Sequence, residues 1–414
     1  MRVAVAGAGA FGRNHLRVVR ELEAAGVDAA GRGVALVAAV DPDAARAEEA
    51  RKQYGIKVYA TIDELLRADL KLDAACVAVP TVKHHEVAAA LLDARAGAGL
   101  DLLVEKPLAA TLAEADDLIE RAERGGKILQ PGHLERFNPA VLAVEPNLKR
   151  PMFFEAHRLS VFTPRALDVD VVLDLMIHDL DIVLTFAKSE VREVRAVGLP
   201  ILSPKVDIAN VRVEFESGCV ANFTASRVST ERVRKLRFFE PRQYVSIDYA
   251  RRDVLVIRID SLAGEQTPGQ GSPGGSVAAA AAEFLATGKL DSGVIQKLLA
   301  SGQVPAALAM KIAASRNNPE KLKEIAKGLA GPQAGPENGP APGPAPGLSF
   351  VKPEVKEGEP LKLEILSFLE SVRTRREPKV TARQGRAALE LALTIQATMA
   401  AHAERAGLGD FFKS

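Results

Sequence analysis

Cysteine, surplus charge and long apolar runs are all scarce in this chain, and each shortage narrows what it can be. Only Cys76 and Cys219 occur, far apart and without a partner pattern. That excludes a disulfide framework and a CxxC zinc site, implies no resident metal, and fits a reducing cytoplasm. Lys and Arg total 54 against 53 Asp and Glu, a net charge of +1. Nucleic-acid binders carry a strong basic excess, so no nucleic acid is expected as a partner, and an acidic solvating tail is excluded as well. No charge-free apolar run reaches the roughly 18 residues of a spanning helix, so no membrane association is expected. The opening MRVAVAGAGAFG has too short an apolar stretch for a secretory signal, so the expected location is the cytoplasm. Tryptophan is absent, which bears on no function.

What the chain does have is length and apolar content. Its 414 residues, 47% of them hydrophobic, suffice for two or three domains with ample core. Up to about residue 130, short apolar runs alternate with helical periodicity. Strands are expected at 2–6, 34–40, 58–59, 73–79 and 101–104, and helices at 11–25, 43–53, 61–68, 84–96 and 111–125. That alternation predicts an α/β fold, a doubly wound parallel sheet covered on both faces. Beyond 150 the texture becomes α+β. Strands are expected at 152–162, 191–202, 206–216, 218–228, 232–240, 243–248 and 253–260, many alternating apolar and polar residues. One long apolar helix is expected over 169–187, and two more over 361–375 and 381–404.

Residues 264–347 break this rhythm. Within 331–347, 11 of 17 residues are Gly or Pro, a composition that resists packing. The segment reads as an insertion of flexible linkers around short Ala- and Lys-rich helices, dispensable for chemistry. The expected domains are therefore 1–130, then 131–263 with 348–414, with 264–347 inserted.

Gly7-Ala8-Gly9-Ala10-Phe11-Gly12 is a G-x-G-x-x-G between an expected strand and an expected helix, the context that makes it a dinucleotide site. Gly7 permits the tight turn, Gly9 the approach of a pyrophosphate, and Gly12 close helix packing. The helix N-terminus offers N–H groups to the anion. The bland alternative is a glycine turn in some other α/β protein. Asp41 ends the second strand, where a carboxylate accepts hydrogen bonds from ribose hydroxyls and repels a 2′-phosphate; NAD is therefore expected over NADP. Asp41 could equally cap the helix that follows. Glu105-Lys106-Pro107 stands at the carboxyl end of a strand, where open α/β sheets bind ligands; a solvated loop lysine is the alternative. Asp174 and His178 lie four apart on an apolar helix, equipment for taking a proton from an alcohol. For such a pair alone a structural role is the better guess. Asp181 is a third polar group on that side.

The order and spacing of the glycine motif, His15, Pro80 with His84, Glu105-Lys106-Pro107 and Asp174-x-x-x-His178 resemble the Gfo/Idh/MocA family of sugar oxidoreductases, over about 1–260 and 350–400. The resemblance implies an N-terminal Rossmann domain and a C-terminal domain with an open, mostly antiparallel sheet that assembles homodimers or homotetramers. It implies NAD bound by Gly7, Gly9, Ala10, Phe11, Gly12, Asp41, Pro80, His84 and Glu105, with Lys106, Asp174 and His178 catalytic. A narrower likeness, in 132–139, 168–179 and 227–237, is to the branch that oxidises C3 of UDP-N-acetylglucosamine. It implies a nucleotide-sugar substrate and an aminotransferase that consumes the keto product, as for lipid A variants. The phosphates of such a substrate would meet Arg136, Asn138, Arg158 and Arg165, with Lys106 and His178 at the reacting hydroxyl. Two alternatives stand. One is a dehydrogenase of another sugar, a cyclitol or a nucleotide-hexuronate. The other is a non-catalytic NAD-binding regulator, which would need neither Lys106 nor the Asp174/His178 pair.

Overall fold

The apolar runs of the first third form six parallel strands: β1 (Arg2–Ala6), β2 (Ala35–Val40), β3 (Lys57–Tyr59), β4 (Ala74–Val77), β5 (Asp101–Glu105) and β6 (Leu129–Gly132). They lie in the order β3-β2-β1-β4-β5-β6, the doubly wound arrangement. In the computed structural model the described residues are 1–26, 33–94, 99–163, 169–261, 321, 324 and 347–408. Between the strands run α1 (Gly12–Ala24), α2 (Ala44–Tyr54), α3 (Ile62–Arg67), α4 (His84–Leu92) and α5 (Leu112–Arg124). Strand order reverses between β1 and β4, so their carboxyl ends open the crevice where such sheets bind ligands.

Further along come α6 (Pro139–Val144), β7 (Phe153–Leu159), α7 (Ile177–Ala187), β8 (Val191–Leu199), β9 (Ile208–Phe215), β10 (Val220–Ser226) and β11 (Val233–Glu240). After them stand β12 (Gln243–Asp248), β13 (Asp253–Ser261), β14 (Gly347–Val351), α8 (Pro360–Thr374) and α9 (Ala382–Arg405). The chain divides into two compact units. The first comprises 1–237, 247–253 and 355–414, the second 238–246 and 254–354. In the first unit a second sheet runs β7-β10-β9-β8, parallel between β7 and β10 and antiparallel from β10 through β8. Its burial alternates along β7, β9 and β10, with Phe154, Ala156, Val211, Val213, Ala221 and Phe223 inward. That is the period-2 pattern of a sheet with one covered face. In the second unit β13 pairs antiparallel with β14. The insertion 264–347 lies outside the described residues, apart from 321, 324 and Gly347, where β14 begins.

The helix expected over 169–187 differs in the structure. Residues Val172–Met176 form one π-helical turn before α7 begins. Asp170 starts it, its Oδ1 accepting from the N–H groups of Val172 at 2.9 Å and Leu173 at 3.1 Å. The Ile177 N–H then bonds Val172 O, five residues back. Apolar periodicity over so short a stretch does not separate a π turn from an α turn.

Helix α8 joins α1 in covering one face of the parallel sheet, through Leu361, Ile365, Phe368, Leu369 and Val372. Glu364 lies on this face, fully buried, with neither carboxylate oxygen hydrogen-bonded. Burial, with Glu105 and Asp181 nearby, pushes its carboxyl well above the ordinary glutamate range. A raised folded value means that folding takes up a proton above about pH 4.3, the unfolded glutamate value. Stability is then present in full below that pH and falls as pH rises, by about 1.4 kcal/mol per pH unit for one proton. Glu364→Gln should therefore raise Tm at pH 8 and leave it nearly unchanged at pH 4; thermal melts across that range check this, and an equal shift at both ends would contradict it.

Candidate active site

Strand β1 ends at Ala6 and α1 begins at Gly12, so the glycine motif is the turn between them. Gly7 has φ +96°, and a Cβ there would stand 2.5 Å from Ala78 O, at the end of β4. A Cβ on Gly12 would lie 1.9 Å from Gly7 O. Only hydrogen fits at either position, while the space beside Gly9 is open to 4 Å. This turn fits a dinucleotide pyrophosphate, with free N–H groups where α1 begins. Asp41 Oδ2 accepts the Ala8 N–H at 2.7 Å and Oδ1 the Asp43 N–H at 2.9 Å, so the carboxylate fastens the glycine turn to the end of β2. It is not the cap of α2; Asp43 is, accepting from Arg46 N. Arg46 folds back onto Asp41, its Nε 3.1 and 3.2 Å from the two carboxylate oxygens.

Strand β5 delivers Glu105 and Lys106 to the same edge. Glu105 Oε1 lies 2.7 Å from His15 Nε2, both side chains buried, which ties α1 to the loop carrying Lys106. Burial alone would depress His15, but the Cys76 sulfur and the Glu105 carboxylate outweigh it and raise it to about 10. His84 faces Pro107 O from Nδ1 at 2.8 Å and Val79 O from Nε2 at 3.0 Å, pinning the loop around Pro80 to the one around Pro107. Burial pushes its imidazole down.

Lys106 Nζ donates to Asp174 O at 2.7 Å and Leu173 O at 3.3 Å, both in the π turn, and lies 3.9 Å from Asp174 Oδ1. Burial lowers the ammonium, against the carboxylates of Asp174 and Glu105. His178 opens α7, and its Nδ1 is buried without a partner. Burial, then the positive charges of Lys106 and Arg158, hold it well below the ordinary histidine value, so it is neutral at pH 7. The expected Asp174–His178 pairing is replaced: the carboxylate attends the lysine, because the π turn changes the four-residue register on which the pairing rested.

The arginines expected to meet phosphate are placed differently. Arg158 is buried, Nε 2.7 Å from Asp179 Oδ2, Nη1 3.0 Å from Glu135 Oε1, and its guanidinium 5.2 Å from the Tyr249 ring centroid. Arg136 is buried beside Thr185 Oγ1 at 2.5 Å and Asp181 at 3.5 Å. Asn138 caps α6 through Ala140 N and donates to Glu135 and to Tyr249 O. These three are buried and build the interior beneath the site, so a role in holding phosphate is corrected to a structural one: their side chains face protein carboxylates, hydroxyls and carbonyls rather than an open cleft. Arg165 lies outside the described residues. Sequence inspection passed over His133, Tyr249 and Glu364 as site neighbours. Glu364 was detectable, since it sits three and four residues from Leu361 and Phe368 on the apolar face of α8.

A nucleotide cradle at the switch point and a lysine beside a neutral imidazole define an NAD-binding dehydrogenase. Residues 1–133 match the model described as oxidoreductase family, NAD-binding Rossmann fold, and 141–241 match the GFO/IDH/MocA C-terminal domain. The chain belongs to the Gfo/Idh/MocA family of oxidoreductases. It is 35% identical over 250 residues to a UDP-N-acetylglucosamine 3-dehydrogenase of Acidithiobacillus ferrooxidans, covering 60% of this chain and 74% of that protein. It is 27% identical to the scyllo-inositol 2-dehydrogenase (NAD(+)) of Bacillus subtilis, over 48% of this chain and 61% of that protein. A solved structure of the A. ferrooxidans enzyme superposes with a TM-score of 0.70 at 26% identity, covering 96% of this chain and 97% of the other.

Arg46 offsets the charge of Asp41 at the end of β2, its Nη2 3.1 Å from Asp41 Oδ1. Arg46→Ala should weaken NADPH binding about 10-fold and change NADH binding by less than about 3-fold, in line with one lost charge-assisted hydrogen bond. Fluorescence titration without substrate reads both; an unchanged NADPH/NADH ratio would show that Arg46 takes no part in selection.

Proposed function

We propose that this enzyme oxidises the C3 hydroxyl of UDP-N-acetylglucosamine to the 3-keto sugar. The observation that carries the substrate is the 35% identity to an enzyme of that name over 250 residues. The chemistry rests on the residues around Lys106. Bound NAD supplies the hydride acceptor. The Gly7–Gly12 turn and α1 hold its pyrophosphate and Asp41 its ribose, with Pro80, His84 and Glu105 shaping the loops beside it. A lysine has three N–H donors; with two spent on the Leu173 and Asp174 carbonyls, the third polarises the reacting hydroxyl. The Asp174 carboxylate keeps that ammonium charged, and the two carbonyls orient it. His178, neutral and next to Lys106, takes the hydroxyl proton.

The keto product calls for an aminotransferase as the consuming partner, and homo-oligomers in the cytoplasm complete the proposal. An inositol oxidation is the second reading, favoured by the likeness to the B. subtilis enzyme. The enzyme is incubated with NAD and, separately, UDP-N-acetylglucosamine, UDP-glucose, UDP-N-acetylglucosaminuronate and myo-inositol, with a carbonyl trap to draw off the ketone. NADH formation from UDP-N-acetylglucosamine is expected; formation from a free cyclitol alone would transfer the function to the second reading.

Lys106→Met should lower kcat at least about 100-fold, the usual worth of one proton-transfer or polarising group, while Tm and NAD binding stay near normal. A depressed histidine titrates on the acid side of its ordinary value of about 6.5. The rate should thus rise with pH below neutrality and level off by about pH 6.5, and His178→Ala should abolish that limb. A folded Lys106→Met enzyme of normal kcat, or an unaltered limb in His178→Ala, would remove the respective residue from the chemistry.

A further inference from the structure

Behind Lys106 and His178 lies a group of buried polar side chains that the chemistry above does not use. Glu105 pairs with Gly132 across β5 and β6, so His133 emerges beside Lys106 at the same edge of the sheet. His133 is 1% exposed, and neither ring nitrogen has a hydrogen-bond partner. Asp181, one turn beyond His178 on α7, is 2% exposed, and neither of its carboxylate oxygens has one. The two side chains face each other, His133 Nδ1 lying 3.9 Å from Asp181 Oδ2, too far for direct contact. Arg136 Nη1 stands 3.5 Å from the other carboxylate oxygen, and the Arg136 Nε is also unpartnered. Helix α9 closes over the group: a Cβ on Gly385 would stand 2.4 Å from Pro131 and 3.8 Å from His133 Nε2.

Buried polar atoms in native proteins are almost always satisfied, and where protein partners are lacking ordered water bridges them. Unpartnered polar atoms of this kind, at His178 Nδ1, His133 and Asp181, are what internal water bridges in other proteins. We propose that His133 and Asp181 are a relay pair that acts through His178, carrying the proton of the substrate hydroxyl away from the reacting centre. The proposal rests on the dehydrogenase chemistry assigned above. The hydroxyl O–H bond breaks and its proton goes to His178 Nε2, while the electron pair of the neighbouring C–H bond leaves to the NAD that the family binds. The Nδ1 proton of His178 passes through water to one nitrogen of His133. The other nitrogen of His133 releases its proton through a second bridging water to the Asp181 carboxylate, and the proton returns by the same waters once product has left and solvent reaches His178. His133 is faced by Asp181, Arg136, Lys106 and Glu105, and His178 by Lys106, Arg158, His133 and Arg234. Burial pushes His133 down, so it is neutral at pH 7 and carries a proton only in transit.

Three measurements on the full chain test this. In uniformly 15N-labelled unliganded protein, the ring nitrogens of His178 are followed over pH. His133→Phe should shift their titration toward higher pH, because the positive charge that His133 takes up at acid pH no longer opposes theirs. With the substrate that reduces NAD, the solvent deuterium isotope effect on turnover should at least double in both His133→Phe and the near-isosteric Asp181→Asn. Folded variants with an unmoved His178 titration and an unmoved isotope effect would overturn the relay. Should both variants fail to fold, a high-resolution crystal structure of the unaltered enzyme decides. Ordered water between His178 Nδ1 and His133 is expected, and a dry, closed gap overturns the proposal. The ring titration and the crystal structure need no substrate, so they judge the relay even if every sugar named above fails to react.

Discussion

The ammonium of Lys106 is held by backbone, and the arrangement of the site depends on that attachment. In a regular α-helix the Ile177 N–H would bond Leu173 O. In the π turn it bonds Val172 O instead, which leaves Leu173 O to accept from Lys106. One irregular turn thus supplies a docking point for a side chain from the end of β5, and it does so with carbonyls that cannot change charge. A carboxylate alone would hold the lysine less definitely in orientation. Asp174 Oδ1, at 3.9 Å, adds charge without fixing direction. The turn itself rests on Asp170, whose side chain takes the two N–H groups that open it.

Beneath this attachment lies a floor of buried charge. Arg158 with Asp179 and Glu135, and Arg136 with Asp181, sit within the fold at exposures of a few per cent. Buried pairs gain little net stability, since desolvation offsets most of their attraction. What they supply is definition: α7, β7 and the 134–137 turn can meet in only one register if every charge is to be matched. His178 and Lys106 stand on that floor, and the reacting geometry inherits its rigidity.

The doubly wound sheet was readable because its strands are short apolar runs and its glycine turn sits between a strand and a helix, where only Gly7 and Gly12 fit. Lys106 was readable for the same reason, at the carboxyl end of β5. The π turn was not: its residues carry the same apolar spacing as an α-helix, and the feature that starts it is a single aspartate. The arginines were misplaced because an arginine in sequence looks equally suited to a phosphate or to a carboxylate. The partners that decide, Glu135 for Arg158 and Asp181 for Arg136, lie 23 and 45 residues away. Glu364 shows the reverse case: its place on the apolar face of α8 was open to inspection, but a charged residue at a core position is easily taken for the edge of the stripe.

In the proposed reaction, charge also explains how so weak a base as His178 serves. Lys106, Arg158 and Arg234 all lie close enough to His178 to oppose its protonation. The same positive field favours a developing alkoxide at the substrate oxygen, and in a site partly closed to water that stabilisation is far larger than in bulk solvent. In that reaction the groups that make the imidazole less basic also make the hydroxyl more acidic, so the two shifts act in opposite senses on the proton transfer. An imidazole of ordinary basicity beside Lys106 would hold its proton after transfer and add a positive charge to an already positive pocket. A depressed one passes the proton on, which favours placing further polar groups behind it rather than a single stronger base in front.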